Sequence, residues 1–107
     1  MKLIQQHIGE IKSLCKKYHV AELYVFGSVA AGKDEKESDI DFLVEFSGVD
    51  PLEYFDNYME LKEKLESLFS KKVDLLETQT VKNPILKRSI ERNKILVYGR
   101  KDSKVAV

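Results

Sequence analysis

Apolar positions along this chain change period several times, and each change marks an element. Ile4, Ile8, Ile11, Cys15 and Tyr18 recur every three or four residues, which is one face of a helix. Leu23 to Phe26 is a short apolar run bounded by Gly27 and reads as a buried strand; Ile40 to Phe46 is a second, stopped by Ser47-Gly48. Asp50-Pro51-Leu52-Glu53 has the features of a helix start, with Asp50 as cap, Pro51 in the first turn and Glu53 where a capping box places a carboxylate. That helix presents Phe55, Tyr58, Leu61, Leu65, Leu68 and Phe69 on one side. Val73 to Leu76 predicts a third strand, and Asn83-Pro84 opens a helix with Leu86 and Ile90 four residues apart. Ile95 to Tyr98 predicts a fourth strand, ended by Gly99.

The order is α-β-β-α-β-α-β, without internal repeat or linker. Gly27 to Ser38, between the first two strands, is too short for a normal parallel crossover helix. Those strands are expected to be antiparallel or irregularly joined. The fold class is α/β (α+β), a small mixed sheet of about four strands packed with helices rather than a doubly wound Rossmann unit. Residues 1–99 make a single domain, and the unpatterned stretch 100–107 reads as a frayed C-terminal tail.

Composition narrows the function. A chain of 107 residues has room for one core, and 43% apolar content is that of an ordinary globular protein. Eighteen basic residues balance eighteen acidic ones, which gives no electrostatic case for broad binding to nucleic acid or a membrane. Charge is nevertheless uneven, because residues 33–41 carry five acids against two lysines. Cys15 is the one cysteine, so no internal disulfide forms, and its place on the apolar stripe suits an inert buried thiol. The opening residues lack the unbroken apolar core of a secretory signal, and no run reaches transmembrane length, so a cytoplasmic location is expected.

The chemistry concentrates around Asp39-Ile40-Asp41. In a strand, Asp39 and Asp41 share one side, while Ile40, Phe42 and Val44 share the other. Two residues of rise set the carboxylates roughly 6–7 Å apart, where they repel by about 2.5 kcal/mol at an effective dielectric of 20. Aspartate is also depleted in strands. A harmless exposed edge could carry such a pair, but a divalent cation between the carboxylates would account for both. Upstream, Gly27 permits close backbone approach, and Ser28 brings a hydroxyl to what would be a helix N-terminus, a setting that suits a phosphate oxygen or simply a capped turn. Downstream, Asp74 lies between apolar Val73 and Leu75-Leu76 in a strand expected to be buried, and is favoured over Glu77 at the strand end. A phosphate-holding turn beside paired carboxylates, with a third acid to allow a second metal, is what metal-assisted nucleotidyl transfer needs.

Gly27-Ser28, then Asp39-x-Asp41, then Asp74 on a later strand resembles the nucleotidyltransferases of the DNA polymerase β superfamily, most of all the minimal nucleotidyltransferases. The resemblance extends over nearly the whole chain, since the elements from Ile4 to Tyr98 follow the same order. It implies that Gly27 and Ser28 hold a nucleotide triphosphate and that Asp39, Asp41 and Asp74 bind magnesium, with two ions expected. It further implies that Asp74 helps deprotonate an acceptor hydroxyl, which attacks the α-phosphate of ATP or another nucleoside triphosphate. Minimal members are often encoded beside a helical HEPN toxin and act as its antitoxin, some of them by adding AMP to a tyrosine, so a HEPN-type partner is implied as well.

One departure stands out. Many of those relatives carry an arginine where this chain has Ala31, before Gly32; Lys33, Lys87, Arg88 or Arg92 would have to replace it, although each also suits a plain solvated face. Two other readings therefore stay open: an antitoxin that neutralises its toxin by binding alone, and transfer to an aminoglycoside-like small molecule, for which so short a chain would need to dimerise. His7 and His19 have no ligand partner at useful spacing. The aromatic group Tyr54, Phe55 and Tyr58 suits core or partner contact better than base stacking.

Overall fold

The computed structural model describes residues 2–27 and 39–99. Ser28, Ala31, Lys33 and the tail 100–107 lie outside the described residues. The elements are α1 (Lys2–Gln6), α2 (Ile8–Lys17), β1 (Val20–Phe26), β2 (Ile40–Phe46), α3 (Tyr54–Phe69), β3 (Val73–Glu77), a 3-10 turn (Thr78–Thr80), α4 (Pro84–Asn93) and β4 (Ile95–Tyr98).

The four strands form one mixed sheet in the order β3-β2-β1-β4. β1 pairs antiparallel with both β2 and β4, while β2 and β3 run parallel. Alternation along β2 sends Ile40, Phe42 and Val44 to one face, where each is fully buried. Their neighbours are Leu23 and Val25 of β1 and Val73 and Leu75 of β3. Ile11 and Cys15 of α2, with Leu61, Leu65 and Phe69 of α3, complete that core.

The first helix, the Asp50 cap and the place of Phe55 depart from the sequence reading, and β1 begins at Val20 rather than Leu23. The first helix is broken at His7, whose amide donates back to the Ile4 carbonyl (3.1 Å) in a tighter turn. The apolar stripe survives the break, since Ile4, Ile11, Cys15 and Tyr18 are all buried. The capping box at Asp50 does not form. Asp50 accepts instead from the Leu52 amide through its side chain and from Glu53 through its carbonyl, both at 2.9 Å, closing a turn ahead of the helix. α3 therefore starts at Tyr54, and Phe55, expected on the buried stripe, is 70% exposed. At about 100° per residue, position 55 lies a quarter-turn from the stripe centred on Leu65. Tyr54 occupies the inward place and meets Phe46 edge-on at 5.5 Å.

α4 begins as its sequence implies: the Asn83 side chain accepts from the amides of Ile85 (2.9 Å) and Leu86 (3.2 Å), with Pro84 in the first turn. Ile90 is buried, whereas Leu86 is largely exposed. This helix lies on the second face of the sheet, where Leu43, Thr78, Val81, Lys87, Ile90 and Glu91 line a small hollow. Among the described residues, no helix is long and apolar enough to cross a membrane.

Candidate active site

The acids meet at the edge of that second face. Asp41 is the register partner of Phe26 on one side and of Asp74 on the other. Partners in a sheet project to the same face, so the two carboxylates stand side by side on adjacent strands, well separated in sequence. Asp39 lies just ahead of β2 and is exposed. Glu77 pairs instead with Val44, away from Asp41 and on the opposite parity of its strand. The preference for Asp74 over Glu77 thus rests on pairing, not on burial: Asp74 is exposed, contrary to the expectation of an acid in a buried strand.

Electrostatics tie the three acids together. Asp41 is half-buried, and its carboxyl is held above the ordinary carboxylate range, first by burial, then by the negative charge of Asp74, then by that of Asp39. Tyr58 is drawn into the same field: burial raises its phenol first, and Asp74 adds to the rise. The Tyr58 hydroxyl donates to the main-chain carbonyl of Leu75, on the free side of edge strand β3 next to Asp74. Sequence reading placed Tyr58 on the apolar side of its helix and in an aromatic group. No periodicity could have paired it with the residue following Asp74.

Gly27 closes the site from the β1 side. Its φ is +72°, and a Cβ built there would lie 2.2 Å from Asp41 Oδ2 and 3.2 Å from Cγ. The position is therefore glycine for two reasons at once, a left-handed backbone and a carboxylate occupying the space of a side chain. The sequence suggested close approach of the backbone to a ligand, and neither of these two reasons.

A hard divalent cation fits this donor set in its chemistry, since every side-chain donor is a carboxylate oxygen and Asp41 bears the cost of two like charges. Among the described residues no three carboxylate, imidazole or thiol groups already stand in a cluster able to hold an ion. Gripping one would require the exposed Asp39 and Asp74 side chains to turn toward Asp41.

Of the cations named from the sequence, the three among the described residues are dispersed. Lys87 lines the hollow beside Leu43, while Arg88 and Arg92 lie with Ile85 on the outward side of α4. His7 sits edge-on to Phe69 at 5.3 Å, His19 is exposed, and the buried Cys15 thiol is pushed up to about 12 by desolvation, consistent with an inert core residue.

A family model described as polymerase beta, nucleotidyltransferase matches residues 9–103. The Methanocaldococcus jannaschii chain MJ1379, assigned to the protein adenylyltransferases, is 44% identical over 88 residues, covering 80% of this chain and 85% of that one. The protein adenylyltransferase MntA of Thermococcus cleftensis is 38% identical over 76 residues, covering 71% and 74%. In a solved complex of tri-AMPylated Shewanella oneidensis HEPN toxin with its MNT antitoxin, one chain shares the fold at a TM-score of 0.65 and 21% identity, with 96% of this chain and 78% of that one covered. A sheet that sets Asp41 beside Asp74, found in a chain matched to that family model over nearly its whole length, places this protein in the polymerase β nucleotidyltransferase family, as an enzyme of the minimal type.

Proposed function

We propose that this protein transfers AMP from ATP to a hydroxyl of a partner protein, with magnesium, and that the partner is a HEPN-type toxin which the transfer silences. The observation that carries the reading is the register of Asp41 against Asp74, beside a Gly27 that leaves room for the Asp41 carboxylate. Sequence similarity to chains named protein adenylyltransferases supports the AMP donor and protein acceptor.

In this reading the acceptor oxygen forms a bond to the α-phosphorus as the bond from that phosphorus to the bridging oxygen breaks, and pyrophosphate leaves. Asp74, the most solvated of the paired acids, takes the acceptor proton. Asp39 and Asp41, with Asp74, would hold up to two magnesium ions, whose chemistry is to neutralise the phosphate oxygens and the leaving pyrophosphate. Gly27 keeps the Asp41 carboxylate in place, and Ser28 would take a phosphate oxygen.

The test incubates the protein with α-labelled ATP, magnesium and the HEPN-type protein of its own genome. Label should move to the partner and depend on Asp39 and Asp41. Transfer that persists in both Asp39→Asn and Asp41→Asn would remove these carboxylates from the chemistry.

A further inference from the structure

The row of residues that crosses the sheet at the acids does not stop at β1. Asp74 pairs with Asp41, and Asp41 with Phe26. One residue back along β1, Val25 pairs with Ile95, the first residue of the antiparallel β4. Lys94, which immediately precedes Ile95 in extended conformation, therefore comes level with Phe26. Its ammonium lies 4.2 Å from the centre of the Tyr24 ring, and Tyr24 is the register partner of Leu43 on the α4 side of the sheet. Lys94 thus stands on the acid-bearing face, two strand spacings, or about 10 Å of backbone, from Asp41.

Its surroundings hold it there as a charged group. The Lys94 ammonium donates to Glu91 at 3.0 Å, and only 20% of its side chain is exposed. Glu91 is 54% exposed and lies one turn back on α4. The ring and this carboxylate hold the cation, and the carboxylate is one that water can solvate once the lysine leaves. A lysine stem can swing from Glu91 toward the row without any change in the backbone.

Resting on the nucleotidyl-transfer reading, we propose that Lys94 binds the triphosphate of the nucleotide, exchanging Glu91 for a β- or γ-phosphate oxygen when substrate arrives. Three carboxylates and a polyphosphate at one site need positive charge from the chain as well as from metal, and Lys94 supplies it from the β4 side. Glu91 is a holder that competes with substrate, and Tyr24 is the platform from which the ammonium moves.

Binding of the β,γ-imido analogue of ATP and binding of AMP are measured by calorimetry on the full chain with magnesium. Lys94→Met, which keeps the apolar stem over Tyr24, should weaken binding of the analogue by about tenfold or more and leave AMP within about twofold, and Lys94→Arg should restore the difference. Glu91→Gln removes the competitor and should bind the analogue as well as wild type or better. An unchanged ratio of analogue to AMP affinity in Lys94→Met overturns the proposal. So does weaker analogue binding in Glu91→Gln, which also decides the matter should Lys94→Met not fold. The two readings fail separately: if Asp41→Asn abolishes label transfer while Lys94→Met leaves the affinity ratio intact, Lys94 is excluded and the transferase reading stands.

Discussion

Replacing Gly27 with alanine sets a backbone cost and a steric cost against each other in a way the geometry resolves. The backbone at φ +72° is left-handed, and a residue with a Cβ costs about 1–2 kcal/mol there. In a domain of this size that corresponds to a fall of roughly 5–15 °C in the thermal midpoint. The new methyl would also lie 2.2 Å from Asp41 Oδ2, so the carboxylate must retreat by about 1 Å to reach an ordinary contact. A displacement of that size in a reacting group costs on the order of 100-fold in rate. Thermal melts and label transfer from α-labelled ATP measure the two effects separately. A double-mutant cycle assigns the steric part: in an Asp41→Ala background the carboxylate is absent, and Gly27→Ala should then cost only the backbone share. Transfer by Gly27→Ala within about threefold of wild type would refute the reasoning, as would an equal stability loss in both backgrounds.

Two further outcomes follow from the same end of the sheet. Because burial and two like charges raise the Asp41 carboxyl in the folded state, folding favours its protonated form; this contribution should reduce stability as pH rises from the ordinary carboxylate value through the raised one. Asp41→Asn should accordingly flatten the melting profile across that window and raise the midpoint at pH 7, and magnesium should raise the midpoint of wild type more than that of the variant; a midpoint lowered at pH 7 by Asp41→Asn would contradict the charge argument. Tyr58→Phe removes the hydroxyl that caps the Leu75 carbonyl at the β3 edge and should cost about 1–2 kcal/mol in denaturant unfolding, with no measurable loss indicating that water replaces it.

Much of this was legible in the residues. The four strands are where the apolar runs place them, because a strand buried on at least one face needs an uninterrupted or alternating set of apolar side chains whatever its neighbours are. The length of the β1–β2 link ruled out a normal parallel crossover and left an antiparallel or irregular joint, of which the pairing is the antiparallel one. The α3 start was misread because Asp50 has two uses for its oxygens, capping a helix or closing a turn, and local sequence does not choose between them. Phe55 was misplaced for a different reason: at about 100° per residue it falls a quarter-turn off the stripe of Leu61, Leu65 and Phe69, and Tyr54 takes the inward place.

The sequence by itself determined which side chains are available for chemistry: paired aspartates in alternation, a third acid on a later strand, and a glycine ending the strand before them. Alternation and turn propensity are local, so a linear chain displays them. Which acid on β3 joins the pair, why Gly27 has no room for a side chain, and that Lys94 rather than a cation of the outward α4 face stands in line with the acids were decided only by strand order and register. Register depends on contacts between segments far apart in the chain, and a shift of one residue would have sent Asp74 into the core and brought an apolar neighbour to Asp41 in its place.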